Sequence, residues 1–370
     1  MRKIFALLPL VFIFVLSACG TQGAQPQEGQ VEQQVSEDEG GGINIGLIPS
    51  LGGINDGSFN QGAFEGMQRF ANDHNLSYNY FMPAEFTDAG YLSAIELAIL
   101  AGSEIVITPG FTFSSAIYTA QSLFPNVYFA ILDTSPTNPN TGEEYVANNT
   151  VTVMYAEEEA GFLAGYAAVM EGHRSLGFIG GISMPPVSRF GHGFALGADY
   201  AAQSLGLAAG DVTVMYHYAM TFSPTPEVQT TAAAWFNGGV EVIFAAAGGA
   251  GASVMAAAEA QNGFVIGVDS DQSGDSHTVI TSATKGIDAS VYTILTYFVA
   301  NDFPGGQILT LGAYENAVGL PLETSRFQNF TSQQYTEIFG RISSGDIIMD
   351  LHLQDGPSGI NVQVIDIIVI

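Results

Sequence analysis

The chain has 370 residues, 47% apolar and 12% charged, so it can bury the cores of two domains and is not disordered throughout. Its 8 Lys and Arg against 36 Asp and Glu give a formal net charge of −28, which argues strongly against nucleic-acid binding and polybasic membrane contact. One cysteine excludes intrachain disulfides and, with six histidines, argues against a structural zinc site.

The first predicted element is a secretory signal. A short basic start precedes the apolar run 4–16, and its roughly 13 residues are too few to span a bilayer as a stable helix. Residues 16–20 read Leu-Ser-Ala-Cys-Gly, which resembles the lipobox of bacterial lipoproteins, whose cysteine is acylated and becomes the first mature residue. We therefore expect a signal peptide over 1–18 and a lipid anchor at Cys19 on the extracytoplasmic face of the cell membrane. The alternative is an ordinary secretory peptide with a chance cysteine.

Residues 19–42 are rich in Gln, Glu and Gly and carry almost no large apolar side chains. Such a segment buries too little surface to offset the entropy of ordering it. We expect a flexible tether that connects the anchor to a globular body.

From residue 43 the chain alternates short apolar, β-rich runs with helical segments. We expect strands at 43–49, 76–81, 104–108, 127–132, 175–180, 212–218, 242–246 and 264–269, and helices at 60–74, 91–101, 113–124, 190–204, 226–236 and 252–262. Strands that are apolar on both faces and separated by helices predict parallel sheets covered on both sides. The two series predict two α/β lobes with a ligand site where the carboxyl ends of their strands face each other.

Two predicted turns of the first lobe carry candidate ligand residues. The segment 55–61 reads Asn-Asp-Gly-Ser-Phe-Asn-Gln, in which Ser58 or Asn60 is suited to cap the following helix. Phe59 favours a binding role, because a large aromatic side chain in a polar loop at a strand end faces the expected cleft. Asp133 directly follows a strand and either accepts hydrogen bonds from a ligand or caps a turn.

Two further turns belong to the second lobe. Residues 247–253 read Ala-Gly-Gly-Ala-Gly-Ala-Ser before a helix, and their glycines allow a ligand to approach backbone N–H groups. The segment matches neither the dinucleotide fingerprint nor the P-loop. Residues 269–272 read Asp-Ser-Asp-Gln without the spacing of a calcium loop, so recognition of ligand hydroxyls by Asp269 is the better interpretation.

Lys285 is the only lysine outside the predicted signal peptide. A surface lysine without a role is the alternative, but we expect the ammonium group to neutralise Asp269 in the cleft and to donate to a ligand oxygen.

Catalytic patterns are absent from the sequence. It has no G-x-S-x-G or H-E-x-x-H motif, and its histidines lack metal-binding spacing. The acidic residues 157–159 are interpreted as the start of a helix, favoured by its dipole. We expect a protein that is not an enzyme and needs neither a metal nor a cofactor.

Taken together, these segments resemble the basic membrane lipoprotein (BMP) family of substrate-binding proteins of ABC importers. The resemblance rests on the lipobox, the Ser-Phe-Asn of residues 58–60 and the following segments in family order: 189–198, 221–222, 248–251, 268–272 and 282–285. It covers roughly residues 43–350.

The resemblance implies a type I periplasmic-binding-protein fold with two Rossmann-like lobes joined by three crossings, near residues 155, 275 and 310. The N-terminal lobe would then comprise 43–155 plus 276–310, and the C-terminal lobe 156–275 plus 311–370. The final residues, 355–370, fall outside the alignment, and their apolar end fits an additional edge strand.

In the nucleoside-binding members of the family, two phenylalanines enclose the purine. The resemblance assigns that role to Phe59 and Phe222. It implies that Asn60 and Asp133 bind the base edge, whereas the ribose hydroxyls are held by Asp269, Lys285 and the backbone of Gly248 and Gly249.

We therefore expect a receptor that delivers a purine nucleoside to an ABC permease by closure of its two lobes. The alternatives are a receptor for another solute such as a sugar or signalling molecule, a surface enzyme that hydrolyses nucleosides, and a ligand-sensing lipoprotein without a transport partner. Substitution of Phe59 and Phe222 distinguishes a purine-nucleoside receptor from a sugar receptor. Release of free base would identify the enzyme.

Overall fold

The computed structural model describes residues 44–370. The expected signal peptide (1–18) and tether (19–42), with Cys19, lie outside the described residues. Within 44–370 no helix is both long enough and apolar enough to cross a membrane.

The first lobe is built mainly from residues 44–155. Its elements are β1 (Asn44–Leu47), α1 (Phe59–His74), β2 (Ser77–Tyr80), α2 (Asp88–Leu100), β3 (Ser103–Pro109), α3 (Ser114–Leu123), β4 (Tyr128–Leu132) and β5 (Thr150–Tyr155). They confirm the predicted strands and helices with small shifts at their ends. The structure adds β5, in which Val151 and Val153 are buried.

The second lobe repeats the alternation. Its elements are α4 (Glu157–Glu171), β6 (Ser175–Gly180), α5 (Pro185–Ser204), β7 (Thr213–Tyr218), α6 (Pro226–Asn237), β8 (Val242–Ala246), α7 (Gly251–Gln261), β9 (Phe264–Asp269) and β10 (Val279–Lys285). α5 begins at Pro185 rather than at Phe190, because its two prolines suit the first turn of a helix.

The remaining chain contributes to both lobes. α8 (Ile287–Val299) and β11 (Ile308–Leu311) belong to the first lobe, whereas β12 (Val318–Gly319), α9 (Ser332–Ser343) and β13 (Asp366–Val369) belong to the second. The first sheet has the strand order β11-β5-β4-β3-β1-β2 and the second β12-β10-β9-β8-β6-β7-β13. Every strand pair is parallel except β10 with β12. The expected α/β fold with three crossings is confirmed.

The return crossing differs in position from the expectation. β10 pairs with β9 in the second sheet, so the chain re-enters the first lobe at Gly286 and not near residue 275. Residues 279–283 are buried, as expected for a strand between helical layers. Residues 276–285, assigned to the N-terminal lobe from sequence, therefore lie in the second lobe.

Both sheets bury apolar side chains on their two faces. In β3, Ile107 packs into the core beneath α1 and α8, while its neighbour Val106 packs into the core beneath α2 and α3. Alternation of side chains along a strand produces this division. It explains why the strands are apolar without a period of two.

Glycines bring α4 and α5 into backbone contact. A Cβ atom added to Gly161 or Gly165 would lie 2.2 or 2.0 Å from a carbonyl oxygen of α5, and one added to Gly193 would lie 2.1 Å from the oxygen of Glu158. No side chain fits at these distances, so the helices approach as closely as their backbones allow. The contact fixes the relative position of the two helices, and the start of α5 lines the cleft described below.

The C-terminal segment is anchored to the second lobe by one buried carboxylate. Asp199 Oδ1 accepts hydrogen bonds from the backbone N–H groups of Gln363, Val364 and Ile365, at 3.0, 2.7 and 3.1 Å. β13 then pairs in parallel with β7. The expected additional edge strand is confirmed.

The substitution Asp199→Ala is expected to lower the free energy of unfolding by about 3 kcal/mol, because three backbone donors lose a charged acceptor. Urea denaturation measures the loss, and hydrogen exchange should locate it at residues 360–370. Gln203→Ala is the matched control, since Gln203 donates to the other oxygen of Asp199 from the same helix face. Equal losses in the two variants would contradict this assignment.

Candidate functional site

A cleft lies between the lobes, at the carboxyl ends of the strands of both sheets. It has about 660 Å³ of empty volume, open solvent at its mouth included. Loops after β1, β3 and β4 line it from the first lobe. From the second, it is lined by loops after β6, β7 and β8 and by the carboxyl ends of β9 and β10. Doubly wound sheets bind ligands at this position.

The structure brings most of the predicted ligand residues together. Seven line this cleft: Phe59, Asn60, Asp133, Phe222, Gly248, Asp269 and Lys285. Gly249 lines an adjoining space that shares Asp56, Phe222 and Gly248 with the cleft. Residues more than 200 positions apart in sequence thus meet around one cavity.

Lys285 lies at the centre of a buried charge cluster. Its Nζ atom is 2.7 Å from Asp133 Oδ2, 3.1 Å from Glu157 Oε1 and 3.8 Å from Asp269 Oδ1. The side chain is only 1% exposed. The expected proximity to Asp269 is observed, but Asp133 and Glu157 are closer partners. An ammonium group has three protons, and here three carboxylates face them.

Burial and charge set the protonation of this cluster. Burial lowers the pKa of Lys285, but the three carboxylates outweigh it and hold that pKa above its ordinary value, so the ammonium is charged. Burial raises the pKa of Asp133 to about 7, despite the opposing charge of Lys285. Burial also raises the pKa of Asp269. For Glu157, the charges of Lys285 and Arg189 outweigh burial and lower the pKa.

Glu157 has a role that the sequence did not reveal. α4 begins at this residue, as expected from the acidic run, yet its side chain is fully buried. Arg189 Nε donates to Glu157 Oε2 at 2.5 Å, and the other carboxylate oxygen faces Lys285. Glu157 thus connects α5 to the cleft. The available signal was Arg189 itself, a rare cation within an apolar, glycine-rich segment.

The loop before α1 is organised by Asp56 and not by the residues expected to cap the helix. Asp56 Oδ1 accepts the N–H groups of Ser58 and Gln61 at 2.9 and 3.0 Å, and Oδ2 accepts the N–H of Asn60 at 3.1 Å. Ser58 occupies the N-cap position without a side-chain cap bond. Its hydroxyl instead donates across the cleft to Asp269 Oδ2.

The amide of Asn60 is engaged within the same loop. Its Oδ1 accepts from the backbone N–H and hydroxyl of Ser50, and its Nδ2 donates to Leu51 O and Asp56 Oδ2. Both amide protons are therefore used inside the protein. In this conformation Asn60 holds the loop in place rather than offering a donor to a ligand.

The two predicted aromatic side chains approach the cleft from different lobes. The Phe59 ring lies under Lys285, with Nζ 4.5 Å from its centroid. Phe222 packs over two glycines: a Cβ added to Gly181 would lie 2.2 Å from its ring, and one added to Gly248 would lie 3.4 Å away. Absence of a side chain at Gly181 is therefore required for this placement of Phe222.

Several lining residues were not predicted from the sequence. They are mostly apolar and include Phe111 after β3 and Met184, Val187 and Phe190 around the start of α5. Phe190 belongs to the segment 189–198 already singled out by the resemblance. The others carry no signal that separates them from core residues.

The site offers hydrogen-bond acceptors rather than reactive groups. Asp133 Oδ1 is buried and has no hydrogen-bond partner among residues 44–370. Asp269 presents Oδ1 from the opposite lobe, 3.8 Å from the same ammonium. Carboxylates in this arrangement accept hydrogen bonds from ligand hydroxyl or N–H groups. Within the described chain, no group of three His, Cys, Asp or Glu residues is placed to hold a metal ion.

Comparison with known proteins identifies relatives over nearly the whole body. The family model described as ABC transporter substrate-binding protein PnrA-like (Bmp) matches residues 45–348. The CD4+ T-cell-stimulating antigen of Listeria innocua is 28% identical, over 94% of this chain and 98% of its own. The ABC transporter nucleoside-binding protein BmpA of Lactococcus lactis is also 28% identical, over 91% and 96%. A solute-binding protein structure from Aeropyrum pernix K1 shares the fold, with a TM-score of 0.69 and 23% identity over 83% and 93%.

Proposed function

The chain belongs to the Bmp family of PnrA-like ABC transporter substrate-binding proteins, and from this premise we propose that it binds a purine nucleoside and delivers it to an ABC permease. The observation that carries the proposal is the joint presence in one cleft of an aromatic ring from each lobe and a pair of carboxylates around one ammonium. The Lactococcus relative, named a nucleoside-binding protein, supports the same ligand class.

The aromatic rings account for the base. Phe59 and Phe222 line the cleft from opposite lobes and present apolar faces for a planar heterocycle. Base–aromatic stacking contributes about 1–3 kcal/mol per base. Because the rings belong to different lobes, a base held between them would favour the closed arrangement of the lobes.

The carboxylates account for the sugar. Asp133 and Asp269 both face Lys285, and Asp133 Oδ1 has no hydrogen-bond partner among the described residues. A cis-diol can donate one hydrogen bond to each lobe. We therefore assign Asp133 to the ribose, whereas the family resemblance assigned it to the base edge. Lys285, already surrounded by three carboxylates, would orient these acceptors.

We further propose that the protein is held at the extracytoplasmic face of the membrane by acylation of Cys19, on the strength of its lipobox sequence. Incorporation of labelled palmitate, abolished by Cys19→Ser, tests the anchor independently of the ligand.

Calorimetric titration of the Cys19→Ser chain with inosine, guanosine, adenosine, cytidine and ribose tests the function. We expect micromolar or tighter binding of purine nucleosides and a large loss with 2′-deoxyinosine, which lacks one of the two donors. If none of the nucleosides binds, the ligand assignment is overturned and a receptor for a sugar or signalling molecule is favoured. Chromatography of the titrated samples for free base tests the hydrolase alternative.

Affinity for inosine is expected to fall between pH 8 and pH 6. Burial raises the pKa of Asp133 to about 7, and its protonation removes an acceptor for the ligand hydroxyl. Asp133→Asn should bind more weakly at pH 8 and show a much flatter pH profile. Calorimetry at pH 6, 7 and 8 measures both, and a wild-type profile without slope would contradict the role of Asp133.

The same shift predicts a stability change of opposite sign. The pKa of Asp133 in the folded protein lies above its ordinary value of 3.8, so the contribution of Asp133 to folding is complete below pH 3.8 and is lost as the pH rises through about 7. As the pH rises from 6 to 8, the free energy of unfolding of Asp133→Asn should therefore increase relative to that of the wild type.

A further inference from the structure

The two lobes are also joined beside the ligand cleft. The backbone carbonyl of Gly57 in the first lobe accepts two hydrogen bonds from the second, from Ser270 Oγ at 3.0 Å and Gln272 Nε2 at 2.8 Å. We call these three residues the interlobe latch. None of them lines the cleft itself, although Gly57 and Gln272 line the adjoining space that also contains Gly249. The latch therefore joins the lobes through residues other than those that line the cleft.

On the second lobe, the side chain of Gln272 is fixed before it reaches across. It is 4% exposed, its Oε1 accepts the N–H of Val268 at 3.0 Å, and its own N–H donates to Ser282 Oγ at 3.0 Å. A Cβ at Gly267 would lie 2.5 Å from Gln272 Oε1, so the glycine leaves room for this conformation. Nε2 is thus aimed at the first lobe by contacts within the second.

On the first lobe, the acceptor is equally constrained. Gly57 has a φ of 64°, a left-handed conformation that glycine adopts without strain. Its N–H donates to Gln61 Oε1, and Asp56 holds the residues on its C-terminal side. Because both halves are ordered within their own lobes, forming the latch immobilises few additional side chains.

We propose that Gln272 and Ser270 are positioning residues that set ligand affinity by stabilising the closed arrangement of the lobes. Apparent affinity equals intrinsic affinity multiplied by the fraction of molecules in the binding-competent state. A latch independent of the ligand raises that fraction before binding. The inference holds for any ligand of the cleft, so it extends the proposed function without requiring that the ligand be a nucleoside.

The first test is made without ligand. The full chain with Cys19→Ser has no other cysteine. The substitutions Ala84→Cys and Thr230→Cys therefore provide one attachment site for a spin label on each lobe. Gln272→Glu retains the acceptor for Val268 N–H and removes the donor to Gly57. Relative to the parent, we expect the interlobe distance distribution to shift toward longer values in Gln272→Glu and, less strongly, in Ser270→Ala. Gln229→Glu, the same change at an exposed position of the second lobe, should leave it unchanged.

The second test measures binding of inosine to the same variants. Gln272→Glu is expected to weaken affinity about tenfold and Ser270→Ala about threefold, mainly through faster dissociation. Unchanged distance distributions in both folded variants would overturn the latch, whatever inosine does. Longer distances in a chain whose parent does not bind inosine would support the latch and reject the nucleoside.

Discussion

Replacing Lys285 by methionine is expected to weaken nucleoside binding more than 100-fold and to lower the free energy of unfolding by about 3–5 kcal/mol at pH 7.5. The substitution leaves Asp133, Glu157 and Asp269 buried without the ammonium they share. Arg189 then remains as the ion-pair partner of Glu157. Breaking a buried ion pair from one side costs far more than the pair contributes, because the remaining charges stay out of water.

The deficit in stability should shrink as the pH falls from 7.5 toward 5.5. Without Lys285, the buried carboxylates become neutral by binding protons. Their pKa values in the folded variant lie above those in the unfolded chain, so protonation begins at a higher pH. The variant therefore regains stability relative to the wild type on acidification. Urea denaturation at several pH values measures this trend.

Arg69→Met is the matched control for Lys285→Met. Arg69 pairs with Asp288 at 2.9 Å, but both side chains are about half exposed (50% and 41%). Solvent screening limits such a pair to about 0–1 kcal/mol. Similar losses from the two variants, or a deficit independent of pH, would refute the charge-cluster interpretation.

Phe59→Ala and Phe222→Ala are each expected to weaken purine-nucleoside binding about 10- to 100-fold, the range that corresponds to loss of one stacking partner. Phe59→Ala also removes the ring beneath the ammonium of Lys285, 4.5 Å away. We expect it to lower stability as well, whereas Phe222→Ala should act mainly on binding. Calorimetry with inosine and thermal unfolding separate the two effects.

Phe86→Ala serves as the control for the aromatic variants. Phe86 is 43% exposed on the first lobe and does not line the cleft. Its replacement should leave inosine binding unchanged. If neither cleft phenylalanine affects affinity, the ligand is not held by stacking, and a sugar receptor becomes the better interpretation.

The fold and most of the cleft could be predicted because each depends on local sequence. Strands such as 104–108 are apolar throughout, and polar or glycine-rich turns follow them, so parallel strand ends and their ligand residues are visible together. Asp133 and Asp269 were found in this way. The prediction needed no knowledge of how the lobes are arranged.

Features that depend on helix phase or on contact between lobes could not be predicted. Three consecutive glutamates begin α4, and sequence alone does not indicate that Glu157 faces inward. Asn60 was assigned to the ligand by the family resemblance, because its engagement by Ser50 and Asp56 is a property of the folded loop and is not visible in the sequence. The carbonyl of Gly57 carries no side-chain signal, although two residues of the other lobe bind it.

The glycines between α4 and α5 have a consequence for how the family can diverge. Gly161 and Gly165 do not line the cleft, yet a single added methyl group at either would collide with a carbonyl oxygen of the facing helix. Substitutions at these two glycines are therefore not tolerated. The apolar residues that line the cleft can change, and the solute that the protein binds can change with them. The most invariant part of such a receptor should be its helix spacing, and the recognition surface the part that evolves.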